Sequence, residues 1–146
     1  MGTIKKLLRM GPRQLLMIPE AVWLTGWYRF QILHRPFAEI SPKIGRMGQE
    51  TPWDMELPPA VMEVRRIVRA VSRRMPWTCN CMVRALTMKK MLARRGISST
   101  LYMGVAMDKN GQMEAHAWLR CGRLIVTGGD SMAGFTVTAV FGDEAV

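Results

Sequence analysis

The chain has 146 residues, 49% of them hydrophobic, and a formal charge of +10; this is the size of one globular domain with a substantial core and leaves no room for a second full domain. Its three cysteines, Cys79, Cys81 and Cys121, are an odd number and argue against a secreted disulfide framework, so reduced thiols and a cytoplasmic location are expected. The positive balance asks for an anionic partner, but no helix-turn-helix, zinc-finger or aromatic stacking pattern accompanies the arginines, which argues against nucleic acid.

Residues 1–48 are basic and rich in Met and Leu, and Pro12, Pro19, Pro36 and Pro42 predict several short or kinked helices there. Met10-Gly11-Pro12-Arg13 breaks the pattern a signal peptide would need. The apolar run from Leu15 to Tyr28 contains Pro19 and Glu20 and falls short of the roughly 20 residues of a membrane span. It reads as helical, with no transmembrane segment and with peripheral membrane contact left open. Trp23, Trp27, Phe30 and Leu33 recur at helical spacing and form a stripe expected to dock on the rest of the domain.

Met47 to Pro59 reads as a loop, after which proline in a first turn opens an amphipathic helix ending before Pro76. Val61, Val64, Val68 and Val71 mark its buried side, while Arg65, Arg66, Arg69, Arg73 and Arg74 form a solvated face. Asn80 is placed to cap the next helix, predicted from Cys81 to Arg95 and ended by Gly96. Cys81, Ala85, Met88 and Leu92 share the face expected to be buried, with the thiol at its N-terminal tip.

Beyond Gly96 the apolar period becomes alternating. Leu101, Met103, Val105 and Met107 alternate with smaller or polar residues, Asp108-Lys109-Asn110-Gly111 supplies a hairpin turn, and the return strand carries Glu114, His116, Trp118 and Arg120 on one face. Further strands are expected at Arg123 to Thr127 and Phe135 to Phe141. The result is an α+β fold, with an N-terminal helical region over 1–48 and a core over 49–146 making one compact domain.

The chemistry centres on Cys81. A thiol attacks as thiolate, and a helix N-terminus beside an imidazole lowers its pKa, with backbone N–H groups at the same tip available to a developing oxyanion. His116, on a strand of the sheet this helix would cover, is the candidate base. Asp130, the only acidic residue after His116 before the C-terminal tail, is the candidate for orienting the imidazole, and an ordinary Gly-Gly-Asp turn explains it equally well.

Asn80-Cys81-Met82-Val83-Arg84-Ala85-Leu86, Leu92-Ala93-Arg94-Arg95-Gly96-Ile97, Gly104-Val105 and His116-Ala117-Trp118 together resemble the papain/transglutaminase-like core, with Cys, His and Asp in that order. Within that superfamily, over about residues 60–142, the chain is similar to the leader peptidases of lasso peptide biosynthesis. The resemblance implies a thiol protease with catalytic Cys81, His116 and Asp130 and no cofactor. Such an enzyme hydrolyses the leader–core bond of a ribosomally made precursor, working with a small leader-binding protein and a separate macrolactam-forming cyclase. Three other readings compete. Cys79, Cys81, His116 and Cys121 are residues of zinc-ligand type, although their C-x-C and odd spacings suit zinc poorly. An acyl transferase or deamidase would form the same acyl-enzyme. A basic binding module would use no nucleophile at all. Cys79 and Cys121 are otherwise bystanders or small core residues, and Trp77 either walls the cleft or packs in the core.

Overall fold

A computed structural model describes residues 9, 11–129 and 134–142. The first helix, α1 (Pro12–His34), runs through Pro19 as one 23-residue element, where the prolines predict several short or kinked helices. Pro19 and Leu15 both lie on the exposed side, so the Leu15 carbonyl that loses its usual donor is on the solvent side. The helix stops at Arg35, which precedes Pro36 and is extended. A short α2 (Phe37–Ile40) and a 3₁₀ turn (Ser41–Lys43) follow, and then a two-residue strand, β1 (Arg46–Met47), where the sequence predicts helical chain giving way to a loop at Met47.

Helix α3 (Pro59–Arg74) has Pro59 in its first turn and buries Val61, Val64, Ile67, Val68 and Val71. Helix α4 (Cys81–Ala93) begins where expected and buries Ala85, Met88 and Leu92. Gly96 lies two residues beyond its cap at φ 73°, a conformation that favours glycine. Strands β2 (Thr100–Met107) and β3 (Met113–Cys121) form the hairpin, in a register running from Thr100↔Arg120 to Met107↔Met113. Asp108 shapes the turn by accepting the N–H groups of Asn110 and Gln112, both at 2.8 Å. With β4 (Leu124–Thr127) and β5 (Thr136–Gly142) the sheet has the order β1-β5-β2-β3-β4, antiparallel at each junction.

The helices cover one sheet face. Leu101, Ala117, Leu119, Cys121, Val126 and Phe141 from the strands meet Met17, Ala21, Leu24, Val64, Val68, Ala85, Met88 and Leu92 from the helices in one buried cluster. Each fully buried Val, Leu or Met contributes roughly 1.5–3 kcal/mol. Glu20 anchors α1 to the end of α4, its carboxylate lying 2.7 Å from Arg95 and 3.1 Å from Arg94.

The face that α1 buries is not the aromatic stripe picked out in the sequence. Trp23, Trp27, Phe30 and Leu33 are exposed, and the opposite side, with Met17, Ala21, Leu24, Thr25 and Gln31, enters the interior. Both sides of the helix are apolar, so periodicity alone does not choose between them.

Burial pushes the Tyr28 phenol from 10.0 up to about 12. A pKa raised by folding adds stability that is complete below the unfolded value and lost as pH rises through the folded one. Unfolding free energy should therefore fall between pH 10 and about 12, by about 3 kcal/mol at most. Denaturant titrations across that window should show the decline flattening in Tyr28→Phe; an unchanged slope would assign it elsewhere.

Candidate active site

The segment before the thiol is held to α1. Trp77 Nε1 donates to Thr25 Oγ1 at 3.2 Å, and the Trp77 ring lies against Gly26, where a Cβ would sit 3.2 Å away. Asn80 then starts α4, its Oδ1 accepting the Val83 N–H at 3.0 Å and its backbone carbonyl accepting that of Arg84. Cys81, half-buried, is the first residue of this capped helix, at the positive end of the helix dipole. The N–H groups of Cys81 and Met82 begin the same turn.

On β3 the His116 ring is fixed from three directions. Its Nε2 is 2.9 Å from the Gly128 carbonyl, and its ring lies 5.7 Å from that of Trp118 and 5.2 Å from that of Phe135. A carbonyl only accepts, so Nε2 carries the proton, and in the neutral ring Nδ1 is the free base. Trp118 stacks in turn on Tyr102 at 5.8 Å and crosses Gly104, the cross-strand partner of His116. A Cβ at Gly104 would come within 2.9 Å of the Trp118 ring.

The ring-orienting acceptor in this structure is thus a backbone carbonyl. Asp130 lies outside the described residues. The Gly128-Gly129 pair was legible in the sequence only as a turn, yet Gly128 sits at φ +83° so close to β3 that a Cβ would lie 2.6 Å from the Ala117 carbonyl. Phe135 had no sequence signal beyond its place at a predicted strand start. Gly128→Ala is expected to cost roughly 1–3 kcal/mol and to release Nε2. Nitrogen-15 spectra of the imidazole should then move from a single Nε2–H tautomer to a mixture; an unmoved tautomer would show that the carbonyl does not hold the ring.

Sulfur and imidazole are not joined by a hydrogen bond among the described residues. Cys81 packs against the cluster that contains Ala117, Leu119 and Cys121, and these alternate along β3 with His116, Trp118 and Arg120. The strand of His116 does belong to the sheet that α4 covers, but the imidazole leaves β3 on the face that α4 does not cover.

Cys121 is a core residue. It is buried, its Sγ–H donates to the Ser98 carbonyl at 3.4 Å, and burial pushes its thiol pKa up, which keeps it protonated. Cys79, half-buried, directs its thiol to the Trp77 carbonyl. Among the described residues no three His, Cys, Asp or Glu side chains gather as a metal site requires, and Cys121 and His116 project from opposite faces of β3.

The same outer face holds Arg120, fully buried. Its Nε donates to the Tyr102 hydroxyl at 2.9 Å, its Nη1 to the Gly122 carbonyl at 2.8 Å and its Nη2 to the Thr51 carbonyl at 2.8 Å, while the Trp53 ring covers it at 3.7 Å. Tyr102 passes a hydrogen bond on to Glu50 at 2.8 Å. Burial raises the Tyr102 pKa, against the lowering influence of Arg120. This network clasps residues 50–53 onto the sheet beside the Trp118–His116 stack.

A helix layer on one face of a five-stranded antiparallel sheet, with a half-buried thiol at a capped helix start and a histidine on a later strand, defines an α+β architecture. The chain belongs to the transglutaminase-like superfamily, whose family model matches residues 19–140. That superfamily comprises cysteine-peptidase-like and acyl-transfer enzymes. Searches of curated proteins and of solved structures return no significant match.

Proposed function

We propose that this protein is a cysteine peptidase that hydrolyses the leader–core bond of a ribosomally made lasso peptide precursor. The observation carrying the reading is the half-exposed Cys81 thiol at the Asn80-capped start of α4 in a chain of this superfamily. The thiolate attacks the scissile carbonyl carbon, and N–H groups at the helix start face the oxygen that becomes negative. His116 Nδ1, left free by the Nε2 bond to Gly128, takes the thiol proton and returns it to the leaving amine. Water then hydrolyses the thioester, and the freed core N-terminus passes to a separate cyclase.

Among the described residues the Cys81 sulfur and the His116 ring share no hydrogen bond, so the proposed proton transfer requires a rearrangement with precursor that turns the imidazole toward the face of β3 under α4. Asp130 is proposed as a further orienting group, and a small leader-binding protein as the carrier of the precursor. Incubating the chain with precursor and that carrier, then measuring masses, tests the activity. Leader and core fragments support hydrolysis, a single-unit mass gain indicates deamidation, and cross-linked product indicates acyl transfer.

One observation favours a second reading. Because Cys81 and His116 occupy different faces of the sheet here, a binding module without catalysis also fits, and under it Cys81→Ala leaves precursor processing intact.

A further inference from the structure

The outward side of α1 carries an apolar strip that ends at His34, whose ring lies 4.6 Å from that of Phe30. Leu16, Trp23 and Leu33 are 72%, 69% and 58% exposed, Trp27 and Phe30 are exposed beside them, and the rings of Trp23, Trp27 and Phe30 stack successively at 6.3 and 6.4 Å. The 23-residue helix is about 34 Å long. No carboxylate interrupts the strip: Glu20 faces Arg94 and Arg95, and Glu63 of neighbouring α3 is held by Arg13 at 2.6 Å. Helix α3 packs directly against α1 and exposes Arg66, Arg69 and Arg73. A tryptophan-rich apolar strip thus lies on one helix and a cationic strip on the helix beside it, in a chain of net charge +10.

We propose that α1 lies flat in the interface of an anionic phospholipid membrane, with Trp23, Trp27 and Phe30 at headgroup depth and the α3 arginines toward lipid phosphates. Tryptophan and phenylalanine favour that depth, and basic side chains nearby add electrostatic attraction that salt screens. No helix among the described residues is long and apolar enough to cross a membrane, in keeping with a helix that lies on the surface. A protein groove would satisfy the apolar strip equally well but gives no role to the adjacent arginines, whereas an anionic bilayer engages both. The inference is independent of the peptidase reading, since none of these residues belongs to the candidate active site.

Flotation of the full chain with phosphatidylglycerol-containing vesicles tests it, with phosphatidylcholine vesicles as comparison. The chain should float with the anionic vesicles, shift its tryptophan emission to shorter wavelength, and detach as salt rises. The double substitution Trp23→Ser with Phe30→Ser should weaken vesicle binding by roughly tenfold or more. Both positions are exposed, so circular dichroism and thermal unfolding should be unchanged. A chain that stays in solution with anionic vesicles at low salt overturns the proposal, as does a double variant that binds equally well. So does a dimer abolished by the same double variant in place of vesicle binding, or a complex with the precursor's carrier protein that alone depends on these side chains.

Discussion

Cys81→Ala should abolish leader removal, with a loss of about a thousandfold or more, while leaving the fold intact. The thiol sits at the rim of the core and not within it, so an alanine at the start of α4 keeps the Asn80 cap and the buried face of Ala85, Met88 and Leu92. His116→Ala should reduce cleavage by about 10²–10⁴, the usual contribution of a positioned general base. The two variants differ in one further measurement. With precursor bound, Cys81 should be alkylated faster in the parent chain than in His116→Ala. If Cys81→Ala processes precursor at the normal rate, the thiol is not the nucleophile. If His116→Ala leaves Cys81 alkylation unmoved with precursor bound, the two groups never meet, and the separate faces they occupy persist through the reaction. Cys79→Ser and Cys121→Ser leave the nucleophile in place and should be mild by comparison.

The largest effect on stability is expected at Arg120. This guanidinium is wholly buried and serves the Tyr102 hydroxyl and the carbonyls of Thr51 and Gly122 at once, under the ring of Trp53. Removing it strands buried acceptors and opens a cavity, so Arg120→Ala should cost about 4 kcal/mol or more, a large share of a typical domain's stability. Arg120→Lys keeps the charge but not the planar fork that reaches several acceptors, and about half that loss is expected. Urea denaturation measures both. Equal stability for Arg120→Ala and the parent would show that the clasp over residues 50–53 carries no net free energy. Because Tyr102 stacks on Trp118 and Trp118 on His116, the same variants should also loosen the imidazole, visible as broadened His116 resonances before global unfolding.

The sequence alone determined the local elements, because the signals that set them act over a few residues. Pro59 opens α3, Asn80 caps α4, Gly96 follows its end, and Asp108 to Gly111 turns the hairpin, each through its own backbone conformation or side-chain hydrogen bond. Alternation placed His116, Trp118 and Arg120 on one face of β3 without any knowledge of the fold.

What only the tertiary structure decided depends on groups distant in the chain. Which apolar side of α1 is buried was settled by packing on α3 and α4 and by the Glu20 pairing, since hydropathy is similar all round that helix. The buried state of Arg120 follows from carbonyls 68 and 69 residues earlier, at Pro52 and Thr51, that no local pattern announces. The sheet face presented to α4 was decided the same way: the smaller and more apolar set of Ala117, Leu119 and Cys121 packs densely under the helices, and that choice turns the imidazole outward to Gly128 and Phe135.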